Sequence, residues 1–232
     1  MDFLKQLQLL QLADSALPIG SAAHSFGLET LAAEGILTPQ NLEAFLQSFI
    51  EEGLLLETVF CRRAYSLGLP DEQDFMTNWV GLNQLLSAFK PARESREASL
   101  TLGRRFLQLV LNLDSWPLLQ KLGSLPRQNG PEVHYCAIFG LMGSQLGVET
   151  ELTSLAYLNQ TVTSLISACQ RLMPLGQSQA GQILWRLKPE LLEIVRQSQA
   201  TQIDLDSVRC FMPMVEMASM RHPLLSTRLF IS

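Results

Sequence analysis

The sequence has few charged residues, and its basic residues are not grouped, which excludes one class of partner. Only 17% of the 232 residues are charged, against 47% hydrophobic residues. This balance is typical of a globular protein rather than a disordered one. The net charge is −5, and the 17 lysines and arginines are scattered along the chain. Because nucleic-acid binding needs a concentrated positive face, we exclude nucleic acid as a partner.

Paired cysteines and long apolar runs are also missing. The four cysteines, Cys61, Cys136, Cys169 and Cys210, lie far apart without the spacing of a disulfide framework or a zinc site. The first three fall within apolar helical patterns, so we expect buried, reduced thiols. The N-terminus lacks the layout of a signal peptide, and no apolar run approaches the ~20 residues of a membrane span. We therefore expect a cytoplasmic protein with no membrane partner.

Recognisable catalytic motifs are absent. None of the four lysines follows a glycine, which excludes the phosphate-binding loop of P-loop NTPases. The segment Gly176–Gly181 has a serine between glycines, but it is one residue too long for a nucleophile elbow and no strand precedes it. We therefore predict no catalytic residue.

Helical periodicity dominates what remains. Thr38 and Pro39 are typical of a helix N-cap and first helical residue, and apolar residues from Leu42 to Leu56 then recur every three or four positions. After Pro91, apolar residues occupy one side of a helix up to Leu113 and charged residues the other. We predict an all-α, single-domain bundle of about nine or more helices over residues 1–232. The other predicted helices are 71–89, 131–147, 149–172, 177–187 and 189–199.

Two segments break the simple helical pattern. Between Ala16 and Ser21, Pro18 and Gly20 predict a turn. Within the predicted helix that follows His134, small residues recur along neighbouring ridges. Because glycine is unfavourable inside a helix, we expect another backbone to approach closely there, within the fold or across a dimer contact. These small residues are Gly140, Gly143, Ser144 and Gly147.

The C-terminal segment is apolar and basic, whereas chain ends are normally polar. No acidic side chain follows Glu216, and Arg221, His222 and Arg228 alternate with leucines, Phe230 and Ile231. Such an end must dock onto its own domain or onto another protein, and the sequence leaves both possibilities open.

Five segments together resemble the UreF family of urease accessory proteins. They occur in the family's order and span nearly the whole chain. The five are LQLADSALPIGSAAHSFGLE (10–29), KPARESREASLTLGRRFL (90–107), HYCAIFGLMGSQLGV (134–148), RLMPLGQSQAGQILW (171–185) and MASMRHPLLSTRLFIS (217–232).

The resemblance implies an all-α homodimer without catalytic activity. Such an adaptor binds the accessory protein UreD (UreH in some bacteria) and recruits the GTPase UreG to apo-urease for nickel insertion. It implies no stably bound cofactor, since the complex handles nickel and the partner GTPase binds GTP. Residues 217–232 would form a partner-docking tail. The tail contacts implied are Arg221, His222, Leu225, Arg228, Leu229 and Phe230. The N-terminal turn supplies the second candidate surface, made of Pro18, Gly20, His24, Ser25, Gly27 and Glu29.

Two further possibilities remain open at the level of the sequence. In one, the chain acts on UreG directly and places an arginine near its γ-phosphate, with Arg93, Arg96 and Arg104 as candidates. In the other, His24, His134 and His222 converge in space or across a dimer contact as a transient nickel site, although none has a ligand partner at helical spacing.

Overall fold

The structure, a computed structural model, describes residues 2–69, 74–125, 130–200 and 212–231. Within these ranges the chain forms α-helices and short helical turns and no β-strand, which confirms the all-α prediction. None of the helices in these ranges is long and apolar enough to cross a membrane. The α-helices are α1 (Phe3–Leu12), α2 (Leu28–Ala33), α3 (Leu42–Phe49), α4 (Leu55–Leu67), α5 (Phe75–Phe89), α6 (Arg93–Leu113), α7 (Pro117–Gly123), α8 (Tyr135–Leu146), α9 (Thr150–Leu172), α10 (Gln177–Arg186), α11 (Lys188–Ala200) and α12 (Pro213–Arg221).

The predicted cap at Thr38 and Pro39 is wrong, since α3 begins at Leu42. The side chain of Asn41 accepts a hydrogen bond from the Thr38 amide and donates one to the Ile36 carbonyl, each 2.8 Å long. Asparagine readily stabilises turns in this way. Residues 38–41 therefore form a turn before the helix rather than its first turn.

A π-helical turn joins α3 to α4. Residues Ile50–Leu54 keep helical dihedrals but adopt the wider π geometry, so Leu42 to Leu67 form one interrupted helix. π-Turns of this kind often occur at functional sites. A Cβ added to Gly53 in this turn would lie 2.5 Å from the Met212 Cε atom, so α12 approaches the turn closely at its N-terminal end.

Helix α8 lies at the centre of the larger hydrophobic cluster, which it forms with α4, α5, α6 and α7. A Cβ added to Gly140 would lie 1.9 Å from the carbonyl oxygen of Cys61, so the backbones of α8 and α4 are in direct contact. Cys61, Cys136 and Cys169 are free buried thiols, as predicted, whereas Cys210 lies outside the described residues. Burial raises the pKa of both Cys61 and Cys169 to about 12.

A second hydrophobic cluster joins α2, α3 and α12 to α9, α10 and α11. Leu55 and Phe26 pack against both clusters and so connect them. Helix α6 buries the predicted face, including Leu102, Phe106 and Val110. Leu113, placed on that face by the periodicity, is instead 55% exposed, because it lies at the end of α6.

We predict that Gly140→Ala lowers the free energy of unfolding by about 1–3 kcal/mol, because the new methyl group would overlap the Cys61 carbonyl. Gly181→Ala in α10 is the control, since nothing lies within 4 Å of its added Cβ. Alanine should stabilise that helix by about 0.5–1 kcal/mol. Urea denaturation of both variants tests this, and equal stabilities would contradict the close packing of α4 and α8.

Candidate partner-docking surface

The N-terminal turn is built from residues that accept unusual backbone dihedrals. Gly20 and Gly27 have φ angles of 83° and 86°, a region that disfavours side chains. Gly27 also lies against α12, because an added Cβ would be 2.8 Å from the Val215 carbonyl oxygen. The N-terminal turn thereby places Glu29, near the start of α2, in a buried position beside the C-terminal segment.

Glu29 holds the C-terminal segment against the body of the protein. Its carboxylate accepts hydrogen bonds from the backbone amides of Leu229 (2.5 Å) and Phe230 (3.2 Å). The ring Nε2 of His222 lies 2.7 Å from the same carboxylate, and because an ionised carboxylate only accepts, Nε2 donates. Glu29 is 5% exposed and His222 is fully buried. We call these four residues the Glu29 clamp.

Further contacts fix both ends of the same segment. The Ile231 amide donates a 2.8 Å hydrogen bond to the Ala23 carbonyl. The guanidinium of Arg171 hydrogen-bonds to the Ala22 carbonyl and lies 4.3 Å from the centroid of the buried Phe230 ring, in cation–π geometry. Near the start of the segment, Arg221 forms a two-pronged ion pair with Glu34.

The structure therefore places the two candidate surfaces predicted from the sequence, the N-terminal turn and the C-terminal segment, in contact with each other. Some of their side chains point inward: His24, Ser25, Gly27, Glu29, His222 and Phe230 are buried. Gly20, Arg221 and Leu225 are half-buried, whereas Pro18, Arg228 and Leu229 are exposed. Leu224 is 81% exposed and Ile231 is 68% exposed. We call the outward set, Pro18, Leu224, Arg228, Leu229 and Ile231, the docking surface.

Two exposed apolar stripes were not predicted from the sequence. Met214, Met217 and Met220 lie on the outer face of α12, each more than 40% exposed. Their spacing of three residues is a signal that the sequence already contained. On α1, the exposed apolar side chains are Phe3, Leu4, Leu7 and Leu10.

The predicted small-residue cluster makes its close contacts within the chain. Besides Gly140, Gly143 lies against the side chain of Thr153 in α9, and an added Cβ there would be 2.3 Å from Thr153 Cγ2. The Ser144 hydroxyl lies beside Gly68, at the end of α4. Gly147 ends α8 with a φ of 66°.

The three histidines are held by different parts of the fold. His134 is fully buried, with its ring nitrogens 3.0 Å from Ser99 Oγ and 2.9 Å from Ser87 Oγ. Burial, assisted by Lys90 and nearby arginines, lowers the pKa of His134 to about 3. Burial and Arg105 also lower the pKa of His24. Among the described residues, no three His, Cys, Asp or Glu side chains are grouped as metal ligands would be.

Two of the three candidate arginines have partners within the fold. Arg93 pairs with Glu97 at 2.7 Å, and Arg96 donates to the Lys90 carbonyl at 2.8 Å. Arg104 is exposed on α6.

Comparison with known proteins identifies the family. The family model for UreF matches residues 36–188. The chain belongs to the UreF family. Three similar proteins, all named urease accessory protein UreF, come from Nostoc sp. PCC 7120 (32% identical, covering 97% of this chain and 95% of the relative), Bacillus sp. TB-90 (33%, 97% and 98%) and Paenarthrobacter aurescens TC1 (34%, 98% and 98%). The protein is thus a urease accessory protein.

We predict that Glu29→Ala releases the C-terminal segment. Removing the carboxylate leaves two backbone amides and the His222 ring without their acceptor, which should cost at least about 2 kcal/mol. Hydrogen exchange of residues 222–231 should accelerate. Glu34→Ala, which breaks only an exposed ion pair, should cost less than about 1 kcal/mol and leave that exchange slow. Unchanged protection in Glu29→Ala would show that the clamp does not hold the segment.

We also predict a pH dependence from His134. Its pKa is about 3 in the folded chain and 6.5 ordinarily, so only the unfolded chain gains a proton between these values. His134 therefore contributes stability above pH 6.5 that is lost as the pH falls towards 3, by up to about 1.4 kcal/mol per pH unit. Urea denaturation at a series of pH values should show this slope, and His134→Asn should show less of it. Parallel pH profiles for the two proteins would contradict this account.

Proposed function

We propose that this chain is a non-catalytic adaptor of urease maturation that acts through its docking surface. In this proposal the surface binds UreD or UreH, and the resulting complex recruits the GTPase UreG to apo-urease for nickel insertion. The adaptor works as a homodimer in the cytoplasm. Nickel is cargo that the complex handles, and UreG binds the GTP.

The observation that carries the proposal is the clamped but outwardly apolar C-terminal segment. Leu224, Leu229 and Ile231 are 81%, 61% and 68% exposed, yet the backbone between them is fixed by hydrogen bonds to the buried Glu29. A segment that is already ordered loses less conformational entropy when a partner binds. Exposed apolar side chains on such a segment are therefore suited to binding rather than to packing within this chain.

The charge of the surface supports a protein partner. Arg228 is exposed next to the exposed Leu229, and an arginine beside apolar residues is a common anchor at the centre of protein interfaces. The methionines of α12 continue the apolar surface towards Leu224, because residues 222–224 follow α12 as a single 3₁₀ turn. Methionine side chains adapt their shape to a partner.

The alternative role, an arginine supplied to UreG, depends on Arg104. Of the other two candidates, Arg93 pairs with Glu97 and Arg96 donates to the Lys90 carbonyl. The Arg104 side chain, by contrast, is exposed on α6. Arg104 forms no ion pair with another described residue. The adaptor role needs no such residue, and it remains the function that the structure favours.

We predict that Leu229→Ser weakens binding to purified UreD or UreH by at least about tenfold, since anchor residues of interfaces cost 2 kcal/mol or more when truncated. Serine removes the apolar side chain without adding charge beside Glu29. Leu113→Ser is the matched control, because Leu113 is 55% exposed at the C-terminal end of α6. The other end of α6 is the one near α12, since the amide of its N-cap Ala92 donates to Glu216, and Leu113 lies roughly 30 Å along the helix from Ala92.

Binding should be measured by biolayer interferometry, with circular dichroism to verify that both variants remain helical. The loss should be confined to Leu229→Ser. Wild-type affinity in Leu229→Ser would show that the docking surface does not bind UreD or UreH. Equal losses in both variants would show a general effect of exposed leucines instead.

A further inference from the structure

A cavity of about 90 Å³ lies between the π-helical turn, α6, α9, α12 and the N-terminal turn. Its walls are mainly apolar, with Phe49 and Leu54 on one side and Leu102, Leu165 and Val215 on the others. Both of the hydrophobic clusters contribute to this lining. The cavity is separate from the exposed side chains of the docking surface, none of which lines it.

The charged groups at the cavity neutralise one another. Lys90 Nζ lies 2.5 Å from Glu57 Oε1, and the Tyr157 hydroxyl donates to Glu57 Oε2 at 2.6 Å. Burial alone would raise the pKa of Glu57, but the Lys90 ammonium and these hydrogen bonds hold it below its ordinary value. Both carboxylate oxygens are thus occupied, and a bound molecule meets an ion pair rather than a single charge.

Two buried hydroxyls lining the cavity are not satisfied by the protein. Tyr135 Oη and Ser164 Oγ are inaccessible to solvent and form no well-aligned hydrogen bond with a described residue. Burial raises the pKa of Tyr135, whereas a poorly aligned hydrogen bond from the Gln160 side chain lowers it, so Tyr135 carries its proton. Native proteins rarely leave buried hydroxyls unpaired, and such groups indicate a missing partner.

The hydroxyl of Ser99 also lines the cavity, and a chain of hydrogen bonds through Ser87 and His134 decides whether it donates or accepts. Ser87 donates to the Glu132 carboxylate at 2.7 Å and so accepts from Nε2–H of the neutral His134. The other ring nitrogen, Nδ1, must then accept from Ser99 Oγ at 3.0 Å. Because the Ser99 proton is used in this bond, Ser99 presents only lone pairs to the cavity, as a hydrogen-bond acceptor.

The surroundings disfavour a charged ligand of either sign. Burial and Arg105 lower the pKa of His24, which lines the cavity, so a positive charge is unfavourable at that side. Glu216 would repel an anion, and the Glu57–Lys90 ion pair supplies no net charge to attract one. A neutral molecule with an apolar part avoids both costs, and its polar part can pair with Tyr135 and Ser99.

We propose that this cavity binds a small neutral molecule that both donates and accepts a hydrogen bond, such as a primary amide or an alcohol. A dry cavity of about 150 Å³ holds benzene, so about 90 Å³ corresponds to roughly four non-hydrogen atoms. The apolar walls favour such a molecule over a cluster of waters, because an organic ligand covers the walls as well as the hydroxyls. This inference does not depend on the proposed adaptor function.

Acetamide is the probe, and the ¹³C-labelled methyl group of Met212, which lines the cavity, is the reporter in the full-length protein. A ligand of about four atoms binds no more tightly than tens of micromolar, so the titration extends into the millimolar range. We expect a saturable shift of the Met212 methyl signal, while the exposed Met217 and Met220 signals stay unchanged. No saturation, or equal shifts of all three signals, would overturn the proposal.

Three variants and a second probe distinguish a shaped site from an incidental void. Tyr135→Phe keeps the shape but removes an unpaired hydroxyl, so acetamide should bind at least fivefold more weakly while xenon, an apolar probe, binds as before. Ser164→Leu fills the cavity and should abolish binding of both probes. Ser167→Leu, on the exposed face of the same helix, should change neither. Wild-type acetamide affinity in Tyr135→Phe would refute the assigned hydrogen bond.

Discussion

The carboxylate of Glu29 connects the two ends of this chain. It lies in the first turn of α2 and accepts hydrogen bonds from Leu229 and Phe230, about 200 residues later. A buried carboxylate without hydrogen-bond donors would destabilise the fold. The clamp supplies these donors to Glu29 and orders the C-terminal segment at the same time. The docking surface follows from this interaction, because the clamp turns Phe230 and His222 inward and leaves Leu224 and Leu229 outside.

The clamp in turn depends on a rigid core. The backbone contact between Gly140 and Cys61 sets the distance between α8 and α4. The π-turn then joins α3 to α4 within one interrupted helix. Met212 packs against Gly53 in this turn, and α12 follows directly and leads into the clamped segment. The positions of the exposed leucines are therefore fixed by packing well inside the protein.

The same arrangement explains why a cavity persists in a well-packed bundle. The π-turn, the ion pair of Glu57 with Lys90 and the His134 hydrogen-bond chain each fix one wall by polar or backbone constraints. Because these walls are held by polar and backbone contacts, they cannot move inward to fill the cavity, as walls made only of leucine side chains could. The space between them is lined by hydroxyls whose hydrogen bonds are either fixed or unmade.

The sequence by itself determined the helical class, the approximate extent of most helices, the burial of three cysteines and the family. These properties depend on local spacing of apolar residues or on motifs read along the chain, and α9 and α10 end within one residue of their predicted limits. The prediction of a helix N-cap at Thr38 was wrong, because the Asn41 side chain stabilises a turn at residues 38–41 instead.

Only the tertiary structure decided that Glu29 binds the C-terminal segment, that Gly140 faces Cys61, and that the hydroxyls of Tyr135 and Ser99 line one cavity. The sequence left open whether the apolar end docks on its own domain or on a partner, and the structure shows its backbone and Phe230 docked on the chain with other side chains exposed. Periodicity tells which face of a helix is apolar, because that depends on neighbours three or four residues away. It does not tell which faces meet, because those contacts join residues that are distant in sequence and depend on the packing of all the helices together.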